Sequence, residues 1–368
     1  TDGGTYLLTP TTTIPDNTTR NGFRNAQYYG TLTSLTDPTR LSAGAQDQGF
    51  QISAPLSGVS APNFSQAISG DYAHLVSSWP DRSRLVFAVY PAFVEVQTGP
   101  GEAPALESTS FPPGQPGFKF LPATSPDPAN SSAAYVCARQ IWHVVRNAAN
   151  SYSWTALSHD FDHGDGDVVG ALAITPTRWY AASYGGRIYY STDSGANWTE
   201  SAVIGPSAHY FAGSGLAVSP TDPMTAWVCG SGYSNPGVYR TTDGGATWVP
   251  FSIGLPRTMV YAIAIESSAS ERPYIATQAG PLRWNGSTWE NLLVTTCCAP
   301  VTDYWSVESL PGQAIMRFST YGRGIWDYAI GSFVSAPTTD GSSLSLSVTP
   351  NPAIGRSTLV LGLAQAGL

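Results

Sequence analysis

Short apolar runs alternate with Pro, Gly, Asp and Asn turn signals from near the start of the chain to about residue 330. That rhythm predicts consecutive strands joined by tight turns rather than amphipathic helices. Self-similarity gives it a period. STDSGANW at 191–198 and TTDGGATW at 241–248 begin 50 residues apart, follow the aromatic strands RIYY and GVYR, and place Asp, Gly and Trp at the same offsets. Asp193 and Asp243 suit carboxylates that accept backbone N–H groups in the turn, Gly195 and Gly245 supply positive φ, and Trp198 and Trp248 anchor the hairpins between neighbouring sheets. This is a structural device, not a catalytic one. Weaker copies, NSYSW and NGSTW, put anchors at Trp154 and Trp289, so the Trp positions fall 44, 50 and 41 residues apart.

A second marker, an apolar strand, a Pro or Asp-Pro turn and another small-residue strand, recurs in seven units: 28–51, 72–97, 118–145, 168–191, 214–240, 260–284 and 304–328. A unit of about 45 residues is the length of one four-stranded blade, so the chain is expected to be all-β, with a seven-bladed β-propeller over 21–330. Residues 1–20 read as an outer strand of a closing or preceding blade, 331–343 as a Ser/Thr/Gly linker, and 344–368 as the first strands of a small, incomplete β-sandwich.

Composition agrees with strands and turns. Charged residues are 11% of the 368, aromatics 12%, and Gly and Pro number 37 and 29. A single Lys, Lys119, stands beside 16 Arg, too few long polar side chains for the wet faces of helices. A hydrophobic fraction of 42% excludes wholesale disorder, and no apolar run approaches a membrane span. The net charge of −8 argues against a nucleic-acid partner. The chain opens on TDGGTYLL, which reads as a mature or partial polypeptide. Cys137, Cys229, Cys297 and Cys298 lack zinc spacing; the first two read as buried thiols, and the adjacent pair as thiols or a vicinal disulfide.

The repeated Asp-Gly-Trp turns resemble the BNR/Asp-box propeller superfamily, whose members include sialidases, xyloglucanase-type glycoside hydrolases, sortilin-like receptors and photosystem assembly factors. The stretch from about 20 to 330 is similar to secreted BNR-repeat proteins of Bacteroidetes-type bacteria, through QYYGTLTSLTDPTRLSAGAQDQGFQ and STYGRGIWDY. SVTPNPAIGRSTLVL resembles the start of the C-terminal sorting domain of type IX secretion cargo. These resemblances imply a secreted or outer-surface bacterial protein that meets a type IX-like secretion machinery.

In a propeller, the loops between second and third strands share a face with the blade-to-blade loops, opposite the Asp-Gly-Trp turns. Ligand-binding candidates predicted there are Gln46, Asp47, Tyr184, Arg187, Tyr233, Tyr321 and Arg323; Tyr and Arg suit sugar or peptide recognition, and tight turns would use the same residues. SHDFDHGDGD at 158–167 carries Asp160, Asp162, Asp165 and Asp167 with no evident counter-charge, which fits either a solvated Asp/Gly turn or a calcium site. Catalysis by two of these carboxylates is disfavoured, because acids crowded in one loop do not face each other across a sugar. His74, His143 and His209 read as structural. A sialidase needs an Arg before its Ile-Pro segment, and TTTIPDN lacks it. The expected function is a non-catalytic binding or scaffolding module for an extracellular glycan or surface protein, with no cofactor unless calcium. A glycoside hydrolase and a structural subunit of a surface assembly are the alternatives.

Overall fold

The computed structural model describes residues 6–7, 16–17, 26–53, 64–72, 74–90, 93–99, 106–112, 119–203, 215–231, 233, 235–267, 271–295, 299–330, 345–349 and 358–362. Cys297, Cys298 and His209, and most of residues 1–20 and 331–343, lie outside them. By contacts the chain divides into residues 1–329 and 330–368.

The first unit is a seven-bladed β-propeller of antiparallel meanders, with six four-stranded blades and a three-stranded seventh among the described residues. Blade I comprises Tyr28–Thr33, Leu41–Ala45, Gly49–Ser53 and Phe64–Ile68. Blade II comprises Leu75–Val76, Val86–Tyr90, Phe93–Gln97 and Leu106–Ser110. Blade III runs through Thr124–Pro126, Ala133–Cys137, Ile141–Ala148 and Ser151–Ala156. Blade IV is Val169–Ile174, Trp179–Ser183, Arg187–Ser191 and Thr199–Val203. Blade V is Gly215–Val218, Ala226–Cys229, Val238–Thr241 and Val249–Pro250. Blade VI is Val260–Ile265, Pro273–Thr277, Gly280–Trp284 and Trp289–Asn291. Blade VII is Tyr304–Leu310, Ile315–Thr320 and Ile325–Ala329. Separately, Tyr6–Leu7 pairs with Asp16–Asn17, and in the second unit Ser345–Thr349 pairs with Thr358–Gly362.

The second strand of most blades is buried along its whole length, as in Ala133–Cys137, Trp179–Ser183 and Pro273–Thr277. A strand covered on both faces is written as an unbroken apolar run, and these are the runs that set the sequence period. Between successive blades those faces merge into discrete cores. One joins Val89 and Val94 to Ala134 and Val144, another Tyr135 and Ile141 to Val169 and Ala181, a third Trp227 and Cys229 to Ile263 and Ile275. Cys137 and Cys229 are buried, and burial pushes the Cys137 thiol up.

First strands of successive blades touch in order, and the first strand of blade VII returns to that of blade I. Closure there uses side chains. Glu308 accepts from the Thr31 hydroxyl (2.9 Å), the Thr33 amide (3.1 Å) and the Thr33 hydroxyl. Arg317, fixed by Asp327, donates to Thr33 Oγ1 (3.0 Å) and the Pro38 carbonyl (3.1 Å). Ser319 Oγ donates to the Tyr28 carbonyl (3.0 Å).

The repeated turns join third to fourth strands. Asp193 Oδ1 accepts from Ser191 Oγ (2.8 Å) and the Asn197 amide (2.9 Å), and the Gly195 amide donates to Ser191 Oγ (3.0 Å). Asp243, Thr241, Thr247 and Gly245 repeat the arrangement. Gly195 has φ +82°, and a Cβ there would stand 2.8 Å from Trp179 and 2.9 Å from Leu157. Trp248 Nε1 donates to Ser201 of blade IV (3.2 Å), Trp154 Nε1 to Thr109 of blade II (3.0 Å), and Trp289 Nε1 to the Phe251 carbonyl (2.8 Å). Each of these three anchors thus ties its blade to the segment before it. In the weaker copy, Asn285 Oδ1 replaces the carboxylate, accepting from the amides of Ser287 and Thr288 (both 3.0 Å).

Candidate functional site

Because each blade is an antiparallel meander, second-to-third-strand turns and blade-to-blade loops share one face, and the Asp-Gly turns occupy the other. On the first of these faces, the inner strands of four blades carry a β-bulge at their second residue. The register skips from Tyr28 to Gly30, Val169 to Ala171, Val260 to Ala262 and Tyr304 to Ser306. The residues left out of the ladder are Tyr29, Gly170, Tyr261 and Trp305. A bulge bends its strand and re-aims the extra side chain, the common use of such irregularities near binding sites.

Three of the four extra residues are aromatic, and they belong to the adjacent blades VI, VII and I. Their rings meet at the start of the inner strands, which is the mouth of the central channel. Trp305 stacks on Tyr261 (centroids 5.5 Å, interplanar 26°) and on Tyr321 (5.3 Å, 22°), and Tyr29 lies 4.9 Å away, tilted by 38°. Phe120, from the loop between blades II and III, meets Tyr29 edge-on at 6.5 Å. Tyr29 is buried, whereas Tyr321 is 43% and Phe120 53% exposed. Each aromatic pair contributes about 0.5–1.5 kcal/mol beyond burial, so the column is held together while its outer rings stay in water.

Carboxylates border the mouth. Asp71 Oδ1 accepts from the Asp47 amide (2.9 Å), at a turn where Asp47 has φ +58°, and Asp303 Oδ2 accepts from the Tyr261 hydroxyl (3.3 Å). Burial, then Asp71 and Asp47, push the Tyr29 phenol up to about 12; burial, then Asp303, do the same to Tyr261. Both rings therefore stay protonated at neutral pH. They can stack and donate hydrogen bonds, but they are not poised as phenolate nucleophiles. Trp305 Nε1 is buried with no partner among the described residues.

The residues singled out in the sequence separate here into two groups. Tyr321 joins the column and Asp47 borders it. Gln46 lies in the same turn as Asp47, its amide donating to the Gln27 carbonyl (3.0 Å). Arg323 is exposed beside Tyr321, its amide bound to Thr320 Oγ1 (3.1 Å). Tyr233 acts on the Tyr261 hydroxyl from outside the stack, donating to Gln278 and lining a recess of about 260 Å³ with Asn235 and Arg257. Tyr184 carries Lys119 over its ring at 5.3 Å. Arg187 is committed internally, with Nη1 on Asp167 and Nη2 on Asp165, both at 2.9 Å.

That commitment supplies the 158–167 loop with a counter-charge. The sequence shows four carboxylates without a counter-charge; the fold brings two guanidinium groups to them from neighbouring turns. Asp160 is bound by Arg139, which also reaches Asp162 at 3.3 Å, and Asp165 and Asp167 are bound by Arg187. Asp162 further accepts the amides of Gly164 and Gly166 (both 2.8 Å), and Asp167 those of Val168 (2.9 Å) and Gly185 (2.8 Å). Among the described residues no three His, Cys, Asp or Glu side chains converge as a metal site needs. The loop is a braced turn. His163 Nε2 lies 2.9 Å from the Tyr189 hydroxyl and His143 Nε2 2.8 Å from Asp127, while desolvation lowers His74 to about 4.

At the far end of the channel, a cleft of about 720 Å³ lies between the inner-strand ends of blades III, IV and V. Its walls include Pro126, Pro176 and Pro220, and three of its hydroxyls are occupied. Thr175 Oγ1 donates to the Arg178 carbonyl (2.7 Å), and Ser219 and Thr221 both donate to Glu271. Size alone favours this cleft, but its polar groups serve turns, so the aromatic mouth has the better claim to a ligand.

No family model matches the chain, and no curated protein matches it significantly. Solved structures share its fold. The extracellular domain of a putative one-component system from B. thetaiotaomicron superposes with a TM-score of 0.60 at 10% identity, over 83% of this chain and 38% of that one. The chain therefore spans about two-fifths of that protein's length. Catalytically inactive virginiamycin B lyase from Staphylococcus aureus with quinupristin gives 0.60 at 12% identity, covering 88% and 97% of the two chains. YCF48 from Cyanidioschyzon merolae gives 0.58 at 11% identity, covering 87% and 96%. The protein is thus a seven-bladed propeller resembling, among others, extracellular domains. Among the described residues no helix is long and apolar enough to cross a membrane.

Proposed function

We propose that this propeller is an extracellular, non-catalytic binding module whose ligand sits on the aromatic mouth of the channel. The observation that carries the reading is the column Tyr261–Trp305–Tyr321, drawn from three bulge and turn positions and ending in a half-exposed ring. Hot spots of recognition are enriched in Trp and Tyr, which offer large contact area at small entropic cost. Two findings weigh against a glycoside hydrolase. The carboxylates of the 158–167 loop are neutralised by Arg139 and Arg187, and the mouth tyrosines are raised rather than lowered. Extracellular placement draws support from the matched extracellular domains. Membership of the Asp-box superfamily rests on the two Asp-Gly-Trp turns, and type IX cargo status on SVTPNPAIGRSTLVL.

The test uses the 368-residue chain, a panel of plant, algal and bacterial polysaccharides and a panel of synthetic peptides. Binding and release of new reducing ends are followed together. Saturable binding without new reducing ends, weakened about tenfold or more by Trp305→Ala, is expected. Release of reducing ends, or binding indifferent to Trp305→Ala, would overturn the reading.

A further inference from the structure

We infer that the ligand of the mouth presents a cation, the ammonium or guanidinium of a lysine- or arginine-bearing segment of a partner protein, received by Tyr321 and Trp305 and neutralised by Asp47, Asp71 and Asp303. This rests on the mouth being the binding site, and it adds the chemistry of what binds. Aromatic faces bordered by carboxylates are the usual receptor for such groups, since ring quadrupole and charge act in the same direction.

The charge distribution on this face points the same way. Among the described residues none of Asp47, Asp71 and Asp303 lies within ion-pair distance of a basic group, although the ion pairs elsewhere on the face are close. Most basic side chains of the same face are placed otherwise: Arg139 and Arg187 serve the 158–167 loop and Lys119 lies over Tyr184, so that Arg323, exposed beside Tyr321, is the basic group to set against the three carboxylates. The Asp303 carboxylate accepts from the Tyr261 hydroxyl, and Asp47 and Asp71 are the carboxylates that act on Tyr29. A neutral sugar could use the rings and donate hydroxyls to the carboxylates but would leave their charge uncompensated, and an acidic one would be repelled. With a net charge of −8 and one Lys, the chain also steers basic partners toward this opening.

The test titrates the 368-residue chain with short tyrosine-free peptides containing lysine or arginine, and with matched peptides containing acetyl-lysine or citrulline. The cationic peptides are expected to bind about tenfold more tightly than their neutral counterparts, and to weaken about threefold or more on raising NaCl from 20 to 200 mM. Asp71→Asn and Asp303→Asn should each remove about threefold of that affinity, while Asp160→Asn, in the braced loop, removes none. Thermal melting of each variant checks folding. Equal affinity for cationic and neutral peptides, absence of binding by any peptide, or indifference to both mouth Asn variants would overturn the inference. If a polysaccharide binds and Trp305→Ala abolishes it while the basic peptides stay silent, the mouth stands and the cation falls. If Trp305→Ala changes nothing for any ligand, the mouth itself falls.

Discussion

The two ends of the channel spend their side chains differently. At the Asp-Gly end, Asp193 and Asp243 are consumed by their own turns, and Ser219, Thr221 and Thr175 by neighbouring caps. At the other end, Tyr321 and Phe120 lie in water, and Asp47 and Asp303 hold no ion pair among the described residues. Polar groups that satisfy one another stabilise a fold, and groups left over after the fold is satisfied are available to a partner. The roomy cleft at that end and the Asp-Gly-Trp turns both belong to the first class. Conspicuousness in a sequence or a surface is therefore a poor guide to function here.

The contrast can be broken most severely at the turn end. Gly195→Ala places a Cβ against Trp179 and Leu157 at positive φ, and should cost about 3 kcal/mol of stability in urea unfolding. The affinity of the mouth for its ligand should survive in the fraction that stays folded. Trp305→Ala should do the reverse, lowering affinity by about 2 kcal/mol with a smaller loss of stability. If Trp305→Ala instead unfolds the protein as Gly195→Ala does, the two ends are not functionally distinct. Asp243→Ala removes three acceptor contacts of an exposed turn and should cost about 1 kcal/mol by the same denaturant assay.

The smallest effect is a pH dependence. Hydrogen bonds from Thr247 and Thr241 hold the Asp243 carboxyl down at about 2, below its usual 3.8. Its contribution to stability is whole above the unfolded value, and is lost as pH falls from about 3.8 through about 2. Melting curves between pH 4 and 2 should show a shallower acid limb for Asp243→Asn than for the wild type. An identical slope would mean that the turn carboxylate is not coupled to folding.

The fold was legible because a strand covered on both faces must be apolar throughout, and such runs recur once per blade. The turns were legible because Asp, Ser or Thr, and Gly act locally, within five residues of one another, as Ser191 to Gly195 do. Tyr321 and Asp47 were placed on the correct face because second-to-third-strand turns are fixed by counting strands. Tyr29, Tyr261 and Trp305 were not found, since alternation assigns them to the ladder and the bulge that releases them depends on how strands pair across the blade. A signal existed in hindsight: YY, VY and YW set two large residues side by side at the start of an inner strand. The counter-charges of Asp160 to Asp167 were hidden for the complementary reason, because Arg139 and Arg187 lie some 20 residues away on either side and arrive only through the fold.

The bulges have a consequence for how such a protein changes over generations. A residue outside the ladder contributes no backbone pairing that its neighbours depend on, so replacing it alters the mouth while leaving the register of the blade intact. Drift at three codons could then re-tune recognition on a constant scaffold, and Gly170 in blade IV is a fourth such position that currently contributes no side chain. Lineages that share this ring are expected to diverge first at those places, and to keep their turns.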